Sequence, residues 1–440
     1  MEFIKTVRGS RKLLLNGYTY VVDKEVKETT YWRCEKRKVC NARIRTVSDI
    51  EQGNVSNHSH PPDGAHNSVL KALEKMKTRA EQTEVVTSSV IHNVVEELPL
   101  SVAGSLPKRE TLARMVRRAR KIDDSEDLNM TTRGENFRLY ETTDVTILST
   151  EKNLKLLSSK QTWFSDGTFQ SAPLGKQLYT IHAIVSGNKT LPLVYCIASN
   201  KEEKTYDEIF KFLKSKGVQD PGSITVDFER ATINSIKKNF PNTSILGCFF
   251  HFGQCLWRKI QHCGLQQWYV EVNNALFIKQ LQALAFVPPS DVHELFDELV
   301  NFLNDENEEL LCDFLVYFES TWLGIVQRGR RRRPIFDVDV WSVHTRVHDN
   351  LPRTNNSLEG WHQAFKNRLN VTHPTMPKLL KVIRSEQASN EMLIEQASIG
   401  IDISRPNKKY DAINDRIKTI CRSYNKEEGL AFLRSLAHNF

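Results

Sequence analysis

No run of apolar residues approaches the ~20 that a membrane-spanning helix needs. The start, Met1-Glu2-Phe3-Ile4-Lys5, lacks the apolar stretch of a secretion signal. Cysteine is scarce: eight in 440 residues are too few for a disulfide scaffold and suit a reducing compartment. No repeat of solenoid period is visible either. These absences lead us to expect a soluble intracellular protein with no membrane role. Apolar residues at 40% and aromatics at 9% exclude a wholly disordered chain. Lysine plus arginine number 61 against 53 acids, a net +8 that fits an anionic partner without naming one. At about 150 residues per domain, the length predicts two to four domains.

Residues 1–62 read as β. Leu13-Leu14-Leu15 runs through the turn signal Asn16-Gly17 into Tyr18–Val22, with further short runs at Thr30–Cys34 and Ala42–Val47. His60-Pro61-Pro62-Asp63-Gly64 marks a boundary. Residues 63–140 form a helical connector, with Val69, Leu70, Leu73 and Met76, then Leu112, Met115 and Val116, at helical spacing. Its last helix is basic (Arg114, Arg117, Arg118, Arg120, Lys121), and residues 123–127 make an acidic loop. From about 160 three extended runs follow: Thr162–Ala172, Gln177–Ser186 and Leu191–Ser199. A helix at Thr205–Lys216, a strand ending in Asp227, a helix at Ala231–Asn239 and a strand at Ile245–Phe250 come next. This β-β-β-α-β-α-β order predicts an antiparallel meander joined to parallel crossovers in one mixed sheet. Residues 255–350 read as mostly helical, and a helical tail fills 371–440.

Cys34-x5-Cys40-x17-His58-x-His60 places two thiols and two imidazoles within a small β domain. Zinc takes four such ligands in a tetrahedron, and a domain of about 60 residues gains stability from a metal staple. The alternative is two buried thiols and two exposed histidines, but the cysteines flank the basic loop Glu35–Val39, an odd place to bury free thiols. Residues 1–62 hold 12 lysines and arginines against 7 acids, which suits phosphate contact as well as a protein-interaction module.

Asp166 follows the apolar run Trp163-Phe164-Ser165, and Asp227 follows Ile224-Thr225-Val226. In the expected sheet the fourth strand pairs beside the first, so these carboxylates meet at neighbouring strand ends, where ligand sites form. Glu359, at the start of a helix, can join them if that helix packs on the sheet. Three converging carboxylates call for cations, and hard oxygen donors suit Mg²⁺ or Mn²⁺. Glu229 could compete with Asp227. Cys248 and His251, at i and i+3 where a strand becomes a helix, fit either a functional role or core packing. A second zinc site from Cys255, His262-Cys263 or His344-x3-His348 has nothing to fix its pairing.

Two resemblances follow from these motifs. Arg8-Gly9, Gly17-Tyr18, Tyr31-Trp32-Arg33-Cys34, Cys40, Ala42-Arg43 and His58-Ser59-His60 resemble the FLYWCH zinc-finger family over nearly all of 1–62. Asp166-Gly167-Thr168-Phe169, Thr225–Glu229, Cys248-Phe249-Phe250-His251 and Asn355-Asn356 with Glu359-Gly360-Trp361-His362 resemble the Mutator-like (MULE) transposases over about 140–370. That resemblance implies an RNase H-like core whose acid triad is interrupted by a helical insertion. By it, Asp166, Asp227 and Glu359 bind Mg²⁺ or Mn²⁺, while Cys248 and His251 sit near the active site and handle DNA. The expected fold class is thus a multidomain α+β and α/β protein: a zinc-stapled β domain (1–62), a helical connector (63–140), an RNase H-like mixed sheet with a helical insertion (141–370) and a helical tail (371–440).

Arg328-Gly329-Arg330-Arg331-Arg332-Arg333-Pro334 is the densest charge block. Self-repulsion predicts an exposed loop, read as a nuclear-localisation signal, a DNA-backbone contact or a merely solvated turn. The function these readings imply is DNA cleavage and strand transfer in the nucleus. Transposon ends and target DNA are the partners, and a homo-oligomer is left open. The rival reading is a domesticated, non-catalytic DNA-binding regulator; an RNase H-like nuclease without strand transfer is another.

Overall fold

A computed structural model describes residues 1–5, 10–52, 56–82, 86–120, 127–404 and 408–440. Arg8-Gly9, Lys121 and the acidic residues 123–126 lie outside the described residues. The chain divides into two compact units, Met1–Glu126 and Asp127–Phe440.

The first unit begins with an antiparallel meander: β1 (Glu2–Lys5), β2 (Arg11–Leu15), β3 (Tyr18–Val26), β4 (Thr29–Cys34), β5 (Arg43–Val47) and β6 (Ile50–Gln52). Asn16 and Gly17 both have positive φ (49° and 80°), so Leu15 pairs directly with Tyr18 across a two-residue turn. Leu13, Leu15, Tyr20, Trp32 and Ile44 form a small core, and the buried Trp32 indole donates to Thr46 Oγ1 at 2.9 Å. Helices α1 (Gly64–Gln82), α2 (Thr87–Val95), α3 (Leu100–Ala103) and α4 (Arg109–Ala119) follow, and α1, α2 and α4 share a core around Met76, Val94 and Val116. The finger is bonded to α1: Asp63 N–H donates to Gly17 O at 2.8 Å, and Thr19 Oγ1 lies 2.6 Å from Asn67 Oδ1.

The second unit is built on β7 (Arg138–Glu141), β8 (Val145–Leu148), α5 (Glu151–Ser158), β9 (Thr162–Thr168), β10 (Gln177–Ser186), β11 (Lys189–Ala198), α6 (Glu203–Ser215), β12 (Ser223–Val226), α7 (Arg230–Asn239) and β13 (Ser244–Gly247). The sheet order is β13-β12-β9-β10-β11-β8-β7, with β9, β12 and β13 parallel and the remaining pairs antiparallel. The expected meander and crossovers are therefore present. The sequence reading missed the two four-residue strands β7 and β8, and it carried the last strand too far: Cys248 is already the N-cap of the next helix.

That helix, α8 (Phe249–His262), opens a helical stretch of α9 (Gln266–Tyr269), α10 (Val272–Ala283), α11 (Val292–Asn301), α12 (Asp305–Phe318), a short hairpin β14 (Val326–Gln327) and β15 (Arg330–Arg331), α13 (Val338–Trp341) and α14 (His344–His348). The chain then returns as α15 (Asn356–Leu369), α16 (Met376–Ser398), α17 (Lys408–Arg422) and α18 (Gly429–Ala437). Alternation along the central strands splits the sheet's two faces: Tyr179, Ile181 and Cys196 join the core with α6, α7 and α8, while Leu178, Tyr195 and Ile197 pack with α15 and α16. The C-terminal tail is thus part of the second unit, and Asn390 Nδ2 donates to the buried Tyr195 hydroxyl at 2.9 Å.

Helices α6 and α7 are joined by a polar knot. Buried Asp207 accepts from Ser235 Oγ at 2.8 Å, from Asn239 Nδ2 at 3.0 Å and from Lys238. Burial alone would raise its pKa, but these donors hold the carboxyl below its ordinary value. Asp207→Ala is expected to cost about 1–3 kcal/mol at neutral pH. Because the folded pKa is depressed, the loss should be full above pH about 4 and vanish as pH falls through the folded value. Urea unfolding of wild type and variant across pH checks it.

Candidate functional site

Two polar constellations stand out, one in each unit. In the first, Cys34 ends β4, Cys40 follows the basic loop, and His58 and His60 come from the segment after β6. Their ligand atoms all lie within 4.8 Å of one another. Cys34 Sγ is 3.2 Å from His60 Nε2, and Cys40 Sγ is 3.4 Å from His58 Nδ1. Zinc–sulfur and zinc–nitrogen bonds of about 2.3 and 2.0 Å in a tetrahedron imply edges near 3.6 Å, so the quartet fits zinc.

The outer contacts orient both rings. His60 Nδ1 lies 2.9 Å from Pro61 O and His58 Nε2 lies 2.7 Å from Tyr20 Oη, which leaves the opposite nitrogen of each ring to bind metal. Tyr18 stacks flat on His58 at 3.6 Å. Burial raises the Cys34 thiol; it also acts on Cys40, but hydrogen bonds from Ala42 and Ser59 bring that thiol down to about 7. Among the described residues no other histidine, cysteine and acid group of this tightness occurs. His344 Nδ1 instead lies 2.9 Å from Phe286 O, with its ring against His348.

The second constellation lies at one end of the mixed sheet. The parallel register Ser223↔Thr162, Ile224↔Trp163, Thr225↔Phe164, continued by two residues, sets Asp227 level with Asp166. Neighbouring strands run about 4.8 Å apart, so the two aspartates are side by side as the sequence implies. Asp166 Oδ1 accepts from Gly167 N–H at 2.6 Å, and its Oδ2 faces His362 Nε2 at 3.2 Å. Glu359 and His362 occupy successive turns of α15. His251, in the first turn of α8, stands between two acids: Nδ1 is 2.8 Å from Asp227 Oδ1 and Nε2 is 3.9 Å from Glu359 Oε1. Asp166, Asp227 and Glu359 are therefore gathered around two imidazoles rather than packed within 4.8 Å as one ligand group.

The electrostatics follow from this interleaving. Burial would lower the His251 pKa, but Asp227 and Cys248 raise it to about 10, so the ring is an imidazolium. Burial also acts to raise Asp166, yet His362 beside it holds that carboxyl below its ordinary value. Glu359 is pushed up by burial and, against His251, by the charges of Asp166 and Asp227. Asp227 Oδ1 faces the His251 imidazolium, whereas Glu359 Oε1 is buried without a hydrogen-bond donor, with His251 Nε2 3.9 Å away. A carboxylate oxygen left in this way fits a hard divalent cation.

Cys248 is fully buried beside His251. Its Sγ accepts Asn355 N–H at 3.2 Å, which ties the start of α8 to the start of α15. Glu229 lies 3.2 Å from Lys201 Nζ and 3.3 Å from the Tyr206 hydroxyl. Sequence reasoning missed His362 as the partner of Asp166, although its i+3 spacing from Glu359 on a helix was visible. It also missed Tyr20, which nothing in the sequence tied to His58.

Zinc analysis of the purified chain should give about one ion per molecule, and Cys40→Ser should abolish it. Tyr20→Phe keeps all four ligands and should weaken zinc about 10–100-fold in a chelator competition.

Residues 3–61 match the FLYWCH zinc finger domain family and residues 162–254 the MULE transposase domain family. FLYWCH-type zinc finger-containing protein 1 of Mus musculus is 31% identical over 81 residues, 18% of this chain, and its Homo sapiens counterpart 30% identical over 85 residues, 19% of this chain. The match spans 12% of the length of each of these relatives. A Drosophila P element transposase strand transfer complex aligns over 83% of this chain and 91% of its own, at 10% identity and a TM-score of 0.22, too remote to carry a structural argument. The chain thus carries a FLYWCH zinc finger domain at its N-terminal end and a MULE transposase domain in its second unit.

Proposed function

We propose that the chain is a Mutator-like DNA transposase of the nucleus, in which the finger grips DNA and Asp166, Asp227 and Glu359 hold Mg²⁺ or Mn²⁺ for strand cleavage and transfer. The observation that carries the reading is the level placement of Asp166 and Asp227 at the ends of parallel β9 and β12, with Glu359 beyond His251. The strand order β11-β10-β9-β12-β13 supports an RNase H-like core. A divalent metal held by Asp166, Asp227 and Glu359 would supply Lewis-acid chemistry for an in-line phosphoryl displacement.

The chain's own groups do the rest. Gly167 N–H and His362 fix the Asp166 carboxylate; His251 pairs with Asp227 and stands between it and Glu359; Cys248 anchors the helix start from which His251 projects. Exposed Arg114, Arg117 and Arg118 on α4 and the finger's net positive charge suit the DNA backbone.

Asp166→Asn, Asp227→Asn and Glu359→Gln should each reduce Mg²⁺-dependent nicking of a DNA duplex to background while leaving the chain folded and its zinc content unchanged. Cleavage at the wild-type rate would refute the assignment. The interposed imidazoles also favour a second reading, a domesticated DNA-binding regulator. Duplex binding by wild type, with no cleavage in Mg²⁺ or Mn²⁺, would select it.

A further inference from the structure

The densest run of positive charge is neither in the finger nor beside the acids. Between Gly324 and Phe336 there are five arginines and no acid. The run folds as the β14–β15 hairpin, with Val326 paired to Arg331 and Gln327 to Arg330. Its turn is Arg328-Gly329, both at positive φ (52° and 70°). Such two-residue turns favour asparagine, aspartate or glycine at the first position, because a longer side chain there is strained. An arginine in that place is a local choice that folding alone does not ask for.

Its stem is rigid. Arg332 N–H donates to Ile325 O at 2.9 Å, and Arg331 turns inward so that Nη1 donates to Gly324 O at 2.8 Å. Gly324 has φ 89°, and a Cβ there would collide with Arg332 O. On one side of the hairpin stands buried Trp322, on the other Phe336, and both rings clasp Phe228 at 4.8 and 5.2 Å. Phe228 is the residue after Asp227. The hairpin is thus rooted on the strand end that carries a candidate metal ligand, and four extended residues lift its tip about 13 Å from Gly324.

Arg328, Arg330, Arg332 and Arg333 are exposed and make no ion pair among the described residues. Four unpaired guanidinium groups on one fixed ribbon repel each other unless an extended polyanion is laid along them. We propose that this hairpin is a second DNA-binding element, a ribbon whose arginines straddle the phosphate backbone of the duplex engaged at the acids. The proposal rests on the DNA-processing reading above and adds a contact that reading does not require. A folded turn that fixes its arginines favours a regular polyanion over an import receptor, for which the same residues would serve as a targeting signal.

The test measures affinity of the full, zinc-loaded chain for a duplex of about 30 base pairs by fluorescence anisotropy across a KCl series. Arg328→Gln with Arg330→Gln should lower the slope of log K against log salt by about two, and Arg328→Lys with Arg330→Lys should preserve it. Arg328→Gly should melt no lower than wild type, since it relieves the turn, yet lose about one unit of slope. An unchanged slope in the double glutamine variant overturns the ribbon while leaving the transposase reading in place. The same unchanged slope with lost nuclear accumulation assigns the hairpin to import instead. A wild-type chain that binds no duplex overturns both.

Discussion

Two carboxylates held level at the ends of adjacent parallel strands repel one another, and a fold that sets them there must bring positive charge to meet them. Here two imidazoles from helices outside the sheet meet them, and His251 carries the charge. His251 opens α8 and faces Asp227; His362, one turn beyond Glu359, faces Asp166. The pairing of β9 with β12 therefore governs how α8 and α15 are placed. Cys248 and Asn355, bonded across 107 residues, keep those two helix starts together. The imidazolium of His251 offsets part of the acids' charge, and Glu359 Oε1 is still left without a hydrogen-bond donor.

Packing around Phe228 extends the same logic into the hydrophobic core. Gly247 leaves out the Cβ that would strike the Phe228 ring, so β13 can lie close beside the end of β12. Trp322, Phe336 and Phe252 complete an aromatic shell, and Trp341 stacks on Phe252. The helical insertion is assembled on the residue next to Asp227, so it braces the acid end of the sheet as well as lengthening the chain.

Much of this was legible in the sequence. Alternating apolar runs and glycine turns announced β9, β10 and β11, and the strand order alone set Asp166 beside Asp227. The C-x5-C and H-x-H spacing announced the finger quartet. Other features were hidden for physical reasons. Strands β7 and β8 have four residues each, too few for a period to register. The Arg-rich segment was expected as a plain exposed loop because self-repulsion conceals a hairpin held by backbone bonds at its base. The tail's place in the second unit was masked by Glu386, Gln387 and Asn390, polar residues on the buried face of α16 that interrupt its apolar stripe. Only their partners explain them: Trp361 Nε1 on Glu386 at 2.8 Å, Asn153 on Gln387 at 2.9 Å and Tyr195 on Asn390.

The bonds from Gly17 and Thr19 to the start of α1 have a mechanical outcome. A finger strung on a slack tether could swivel until its grip suited any approach. This one is riveted through its own hairpin turn to a helix that shares a core with α4, so a torque on the zinc-bearing sheet passes into the arginine-studded helix instead of being dissipated in a joint.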